Sequence, residues 1–164
     1  MKFRVNGKIN NNSTLSASGD GTIGVILNGT AATNIVNTED IYISGGVYTE
    51  SSNNRIGSVG IAAIGSGANF TSTADSIRVN VSGIESTALF ADTGTITLEN
   101  GEIKTSNGAF NLYSKNAAGL IKLKDTNLET GQKSLLFYSE NSGKFELNNV
   151  EAIIRGGANS GDRG

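Results

Sequence analysis

Two apolar residues two apart, followed five positions later by a third, recur along this chain as Ile41, Ile43, Tyr48; Ile77, Val79, Ile84; Ile96, Leu98, Ile103; Ile121, Leu123, Leu128; and Phe145, Leu147, Ala152. Within each copy the apolar positions alternate with polar ones, the period of a strand with one buried face. A short polar stretch then turns the chain into a second strand. Asn100, Asp125 and Asn149 hold the same turn position in the last three copies. These residue types tolerate the left-handed backbone that a sharp bend requires. The last three copies start 25 and then 24 residues apart, a period in the range that builds solenoids. Two or three short strands per period predict the coils of a parallel β-helix, an all-β fold in which the chain stacks on itself.

Stacking in register makes a second demand on the pattern, because equivalent residues of successive coils lie about 4.8 Å apart. Ile96, Ile121 and Phe145 then form one inward column, and Leu98, Leu123 and Leu147 another. On the outside, Glu99 falls over Lys124, Lys122 over Glu146 and Lys104 over Glu129. All three pairs are opposite in sign, whereas like charges at these positions would be destabilising. Each exposed pair contributes only a few tenths of a kcal/mol, so their value lies in fixing the register.

Composition agrees with this architecture and narrows the chemistry. Gly, Asn, Ser and Thr make up 75 of the 164 residues, a bias toward turns and strands, and there is no convincing amphipathic helix. At about 24 residues per coil the chain supplies six or seven coils. There is no Cys and no His, which removes disulfides, thiolate sites, a Ser-His-Asp triad and the commonest metal ligand. The net charge of −2 gives no electrostatic reason to expect nucleic acid or an anionic membrane as partner. No apolar run approaches a membrane span.

Residues 1–164 therefore read as one β-helix segment: residues 1–21 an irregular or partial coil, residues 22–155 the coils and residues 156–164 a tail. Opening strands are expected at Val59–Ile64, Ala88–Asp92, Phe110–Ser114 and Leu135–Ser139, and a loop thrown out between coils at Glu50–Ser58.

The coils ITLENGEIKT from Ile96 and IKLKDTNLET from Ile121, with the strands ALFAD and LLFYSE, resemble the passenger regions of bacterial type V autotransporters. The Asn/Lys-rich wording is most similar to the very large fusobacterial autotransporter adhesins. The resemblance spans residues 22–164 and its motifs are architectural, so it carries over no catalytic residue. It implies a single-stranded right-handed parallel β-helix, exported to the bacterial cell surface or outer membrane, or secreted. It also implies that the segment comes from a longer passenger, and that it serves adhesion and virulence. The implied partner is a protein or glycan on a host or bacterial cell.

Parallel β-helices also include polysaccharide lyases and hydrolases. Asn37, Thr38, Glu39 and Asp40 resemble the Asn-Thr-Asp element of polygalacturonases, but the accompanying Gly-His-Gly element cannot exist without His. Glu39 and Asp40 read more simply as a polar turn before Ile41. The Arg residues at 4, 55, 78, 155 and 163 do not share a repeat offset with clustered acids. The segment SGDGTIG around Asp20 contains one Gly/Asp calcium-like unit where a calcium β-roll needs the unit repeated, so it reads as a turn. No catalytic residue, metal site or cofactor is expected.

One constellation suggests binding. With Phe90, Leu112 and Phe137 pointing inward, alternation turns Leu89, Asn111 and Leu136 outward, together with Ala91, Tyr113 and Tyr138. Tyr113 and Tyr138, one coil apart, then stack as an exposed aromatic ladder. The expected function is a non-enzymatic structural and binding segment, with self-association through exposed coil ends. The alternatives are a carbohydrate-active β-helix enzyme and a phage tailspike-like trimeric fibre.

Overall fold

The computed structural model of the chain describes residues 9–10, 12–29, 36–37, 39–51, 54–72 and 77–156. Among them there are strands and no helix. A partial coil, β1 (Ile9–Asn10) and β2 (Leu15–Ser18), precedes coils built to one plan of opening, middle and closing strand. The first full coil is β3 (Ile23–Asn28), β4 (Val36–Asn37) and β5 (Ile41–Ser44). An antiparallel hairpin, β6 (Val47–Ser51) and β7 (Asn54–Gly57), then leaves the stack. The second coil is β8 (Val59–Ile64), β9 (Asn69–Ser72) and β10 (Arg78–Ser82), and the third β11 (Thr87–Asp92), β12 (Thr95–Glu99) and β13 (Glu102–Ser106). In the last two, the middle and closing strands run together: β14 (Phe110–Lys115) with β15 (Leu120–Thr130), and β16 (Leu135–Glu140) with β17 (Lys144–Ile154).

Opening strands pair in parallel as one sheet in the order β3, β8, β11, β14, β16. Closing strands stack from β2 through β5, β10 and β13 to the second half of β15, and middle strands from β9 through β12 to its first half. The result is a β-solenoid of about five turns with three faces around one core. That count is close to the expected six or seven. The hairpin accounts for part of the difference: Ile23 pairs with Val59, 36 positions on, so this repeat uses more chain than the regular ones. The loop expected at Glu50–Ser58 coincides with this hairpin, apart from Ser52 and Asn53, which lie outside the described residues.

The register set by the apolar columns is the register observed. Ile96 pairs with Ile121 and Ile121 with Phe145; Leu98 pairs with Leu123 and Leu123 with Leu147. Asn100, Asp125 and Asn149 all turn the chain with positive φ, at 54°, 48° and 52°. The Asn149 amide donates to Asp125 Oδ1 across the stack at 2.6 Å. A second corner repeats the device: Asn116 and Asn141 have φ of 65° and 50°, and the Asn116 amide donates to Asp92 at 2.6 Å. At such bends the polar side chain bonds the coil below instead of leaving a turn amide unmatched.

The early copies of the pattern are out of phase with the late ones. Ile41 and Ile43 pair with Val79 and Val81, and Val79 and Val81 with Ile103 and Thr105. They belong to closing strands, not to the middle strands of Ile96 and Leu98. The second coil's residues opposite Ile96 and Leu98 are Phe70 and Ser72. Tyr48 lies in the hairpin and Ile84 in an exposed turn. Middle and closing faces both alternate with period two, so an apolar pair fits either face. Of the end segments, residues 1–8, 11 and 157–164 lie outside the described residues. Leu15–Ser18 joins the stack in register with Ile41–Ser44, as a partial coil.

Close stacking also dictates where glycine stands. A Cβ on Gly60 would meet the Ala88 carbonyl oxygen at 2.7 Å and Val79 Cγ1 at 2.8 Å. At this inward position the second coil has room only for a hydrogen. In later coils the same position is Ala88, Asn111 and Leu136, counting from the flanking pairs Thr87–Phe110–Leu135 and Leu89–Leu112–Phe137.

Candidate binding faces

The opening-strand face carries aromatic residues on its outer side. Phe90, Tyr113 and Tyr138 are in register across β11, β14 and β16. Their rings meet edge to face: Phe90 to Tyr113 at 4.9 Å and 63°, Tyr113 to Tyr138 at 4.8 Å and 73°. Phe110 joins from the side, 5.6 Å from Tyr138. Such geometry suits the ring quadrupoles and adds roughly 0.5 to 1.5 kcal/mol per pair beyond area burial. The Tyr113 hydroxyl donates to Glu140, whose other oxygen pairs with Lys115 at 3.3 Å. Partial burial and the neighbouring carboxylate raise the Tyr113 pKa, and the phenol's hydrogen bond, followed by Lys115, lowers that of Glu140. The phenol is therefore held as a neutral donor.

The stacked Tyr113 and Tyr138 expected from the sequence are present, and Tyr138 is 42% exposed. Leu89, Asn111 and Leu136 are not on that surface. Leu89 and Asn111 are fully buried, as is Ala91, also expected outward, and Leu136 packs against the core. Phe90, expected inside, faces out with the tyrosines. The expectation placed Phe90 opposite Leu112, one residue out of the true register, in which Leu89 stands opposite Leu112. Ala88 and Leu89 are consecutive and both buried, so β11 breaks alternation at that point. Asn111 and Leu112 on β14 are likewise consecutive and both buried, so one step back from the inward Leu112 stays inside where strict alternation would turn out.

Asn111 has a structural task inside. Its amide donates to the carbonyl oxygens of Ile103 and Glu129, each at 3.2 Å, and its own oxygen accepts from the Thr105 hydroxyl. One side chain on an opening strand thus braces two closing strands through the core. Buried and fully matched, it fixes how the two faces meet.

The closing-strand face is charged where the opening face is aromatic. Arg78 lies 3.7 Å from Asp40 and 3.3 Å from Glu102; Lys104 lies 2.6 Å from Glu102 and 4.0 Å from Glu129; Arg155 lies 2.8 Å from Glu129. Six charges thus alternate in sign along the solenoid, linking the first coil to the last. Lys104 over Glu129 was expected, as were Lys122 over Glu146 and Glu99 over Lys124 on the middle face, now seen at 2.8 and 3.8 Å. Arg78 and Arg155 were not expected to align with acids. The signal was present: Arg78 pairs with Glu102, 24 positions on, while the inserted hairpin moves Asp40 to an irregular offset.

Asp40 also accepts the Arg78 backbone N–H at 3.0 Å and the Tyr42 hydroxyl at 3.1 Å. Asp20 accepts the Gly46 N–H at 2.7 Å. Asp20 lies in a turn, as read from the sequence, and both carboxylates are occupied by partners within the protein. Among the described residues no group of three acidic side chains is placed to hold a metal ion. No protein-family model matches the chain, and neither a curated protein nor a solved structure matches it.

Proposed function

We infer that this chain is a non-enzymatic structural and binding segment of a bacterial cell-surface adhesin of the autotransporter kind, presenting contact residues on a rigid β-solenoid. The observation that carries the reading is the ladder of Phe90, Tyr113 and Tyr138, with Phe110 beside it, held on the outer face of parallel strands. Aromatic groups with a polar tip are favoured at interfaces, and a strand backbone already ordered loses little entropy on binding. The solenoid fold is the one that the resemblance to autotransporter passengers implies. Surface location, attachment to a host or bacterial cell, and absence of catalysis are parts of this proposal.

The test replaces Tyr113 and Tyr138 by Ser in the intact surface protein. Attachment to the target cell is expected to fall while β-sheet circular dichroism stays unchanged. Undiminished attachment by the folded double variant would remove the ladder from the reading, and cleavage of a pectin-like polymer by the wild-type chain would overturn it.

A further inference from the structure

The closing-strand face has an open edge at each end. Among the described residues, β17 pairs only with β15 at the upper edge, and β2 only with β5 at the lower one. On an edge strand alternate residues bond the neighbouring strand and the others face away. The Arg155 N–H donates to the Thr130 carbonyl at 2.8 Å, so Ala152 and Ile154 turn their backbone groups to the open side. The Leu15 and Gly19 N–H groups donate to the Asp40 and Ser44 carbonyls at 2.9 and 2.8 Å, so Ser16 and Ser18 do the same below. Such an edge is a template for another strand. The upper edge is also apolar: Leu147 and Ile154 stand over the buried Leu123 and Thr130, yet both are exposed.

The lower edge fits the upper one. The closing stack runs in unbroken register from Leu15 through Ile41, Val79, Ile103 and Leu128 to Ala152. Setting Ala152 of one copy against Leu15 of another extends that column by one step. Ile154 then meets Ala17, so at both positions a large side chain faces a small one, and both lower residues are only partly buried. The outward backbone groups of Ile154 reach Ser16 and Ser18, whose own groups are free. The corner continues as well: Asn12 stands three positions before Leu15, as Asn100, Asp125 and Asn149 stand before Ile103, Leu128 and Ala152. Asn12 is exposed, and the Asn149 amide, which donates to Asp125, keeps its oxygen to accept from the next corner. Two upper edges match less well. A two-fold axis through the Asn149 corner that sets Phe145 opposite Ile154 and Leu147 opposite Ala152 also sets Lys144 opposite Arg155, and like charges there are destabilising.

We propose that a second copy of this chain stacks on the last coil, its β2 added in parallel to β17, so that copies join head to tail. Such a contact is heterologous and does not close, so it propagates along the solenoid axis into filaments. A single coil interface has to offset the lost translational and rotational freedom of a copy, so stacking is weak and the dilute chain is single. The proposal is independent of what the aromatic ladder binds, although a filament repeats that ladder along its length.

Sedimentation of the whole chain over about a hundredfold range of micromolar concentration tests this. The mean mass should rise with concentration, and electron microscopy should show rods lengthened end to end. Ile154→Pro and Ser16→Pro each remove one outward-facing N–H, on the upper and the lower edge, and no bond to β15 or β5. Each variant alone should stack at least tenfold more weakly than wild type. An equimolar mixture should restore dimers and nothing longer, through the one intact pair of edges. Should either variant fail to fold, amide exchange of the wild type decides, with protection at Ser16, Ser18, Ala152 and Ile154 growing with concentration. A mass independent of concentration, undiminished stacking by Ser16→Pro, a mixture that stays monomeric, or no gain in protection at those four amides would each overturn the proposal.

Discussion

The coil of β14 and β15 and the coil of β16 and β17 are nearly the same sequence pattern in two different environments. Leu123 and Leu147 are partners in one column, yet Leu123 is 2% exposed and Leu147 43%. Leu112 is fully buried, while its partner Phe137 is 42% exposed. Leu135, Ile153 and Ile154 of the same last coil are also exposed. Nothing in the local pattern of the two coils accounts for this. Burial here is completed by the coil above and the coil below, and β17 has a neighbour on one side only among the described residues. In a solenoid the hydrophobic free energy of a residue therefore belongs to the interface between coils, not to the residue's own coil.

The sharpest way to break this comparison is a charge in the column. Leu123→Asp should destabilise by more than about 4 kcal/mol or prevent folding, because an unpaired carboxylate enters the core. Leu147→Asp should cost less than about 1 kcal/mol, the carboxylate remaining hydrated. Equal losses in urea denaturation followed by circular dichroism would mean that Leu147 is covered in solution, and sedimentation would then reveal self-association through this coil.

Truncation is the next largest effect. Leu112→Ala should cost about 2 to 5 kcal/mol through lost transfer free energy and a cavity. Phe137→Ala, although it removes more atoms, should cost less than Leu112→Ala, because much of the ring faces solvent and no closed cavity forms.

Asn111 and Leu136 sharpen the contrast at one shared position. Asn111→Ala leaves the Ile103 and Glu129 carbonyls and the Thr105 hydroxyl without their partner, for a loss of about 1 to 3 kcal/mol. Asn111→Leu should not restore this stability, although leucine occupies the equivalent place one coil later. Recovery to wild-type stability in thermal melts would show that the brace contributes nothing.

Hydrogen exchange reads the same difference without mutation. Amides of Leu120–Thr130 should exchange more slowly than those of Lys144–Ile154, since the outer coil can open alone. The smallest effect is electrostatic. The Arg155 hydrogen bond, with Lys104 nearby, lowers the Glu129 pKa below its ordinary 4.5. A carboxylate shifted down contributes stability that is full above its unfolded value and is lost as the pH falls through the lower folded value. Acidification below about pH 4.5 should loosen the last coil from its neighbour. Glu129→Gln should flatten the dependence of Lys144–Ile154 exchange protection on acidification, because it removes the carboxylate whose lowered pKa ties the last coil to its neighbour.

Much of this was legible because a parallel solenoid tests every position against the residue one period away. The columns through Leu98 and Ile96, the Asn100–Asp125–Asn149 corner and three opposite-charge pairs all follow from a near-constant offset in the second half of the chain. The aromatic ladder was partly legible: Tyr113 and Tyr138 obey that offset, but β11 breaks alternation at Ala88 and Leu89. The Arg78 bridge to Asp40 was hidden by the hairpin, which changes the offset between the first two coils.

The sequence alone determined that the chain turns at Asn and Asp corners, alternates its apolar residues and stacks in parallel, because those properties depend on local backbone preference and a period of two. Which face each early strand joins, which residue of β11 turns inward and how deeply each column is buried were decided only by the tertiary structure. Each depends on a neighbouring coil that approaches through space, at a sequence distance that insertions are free to change.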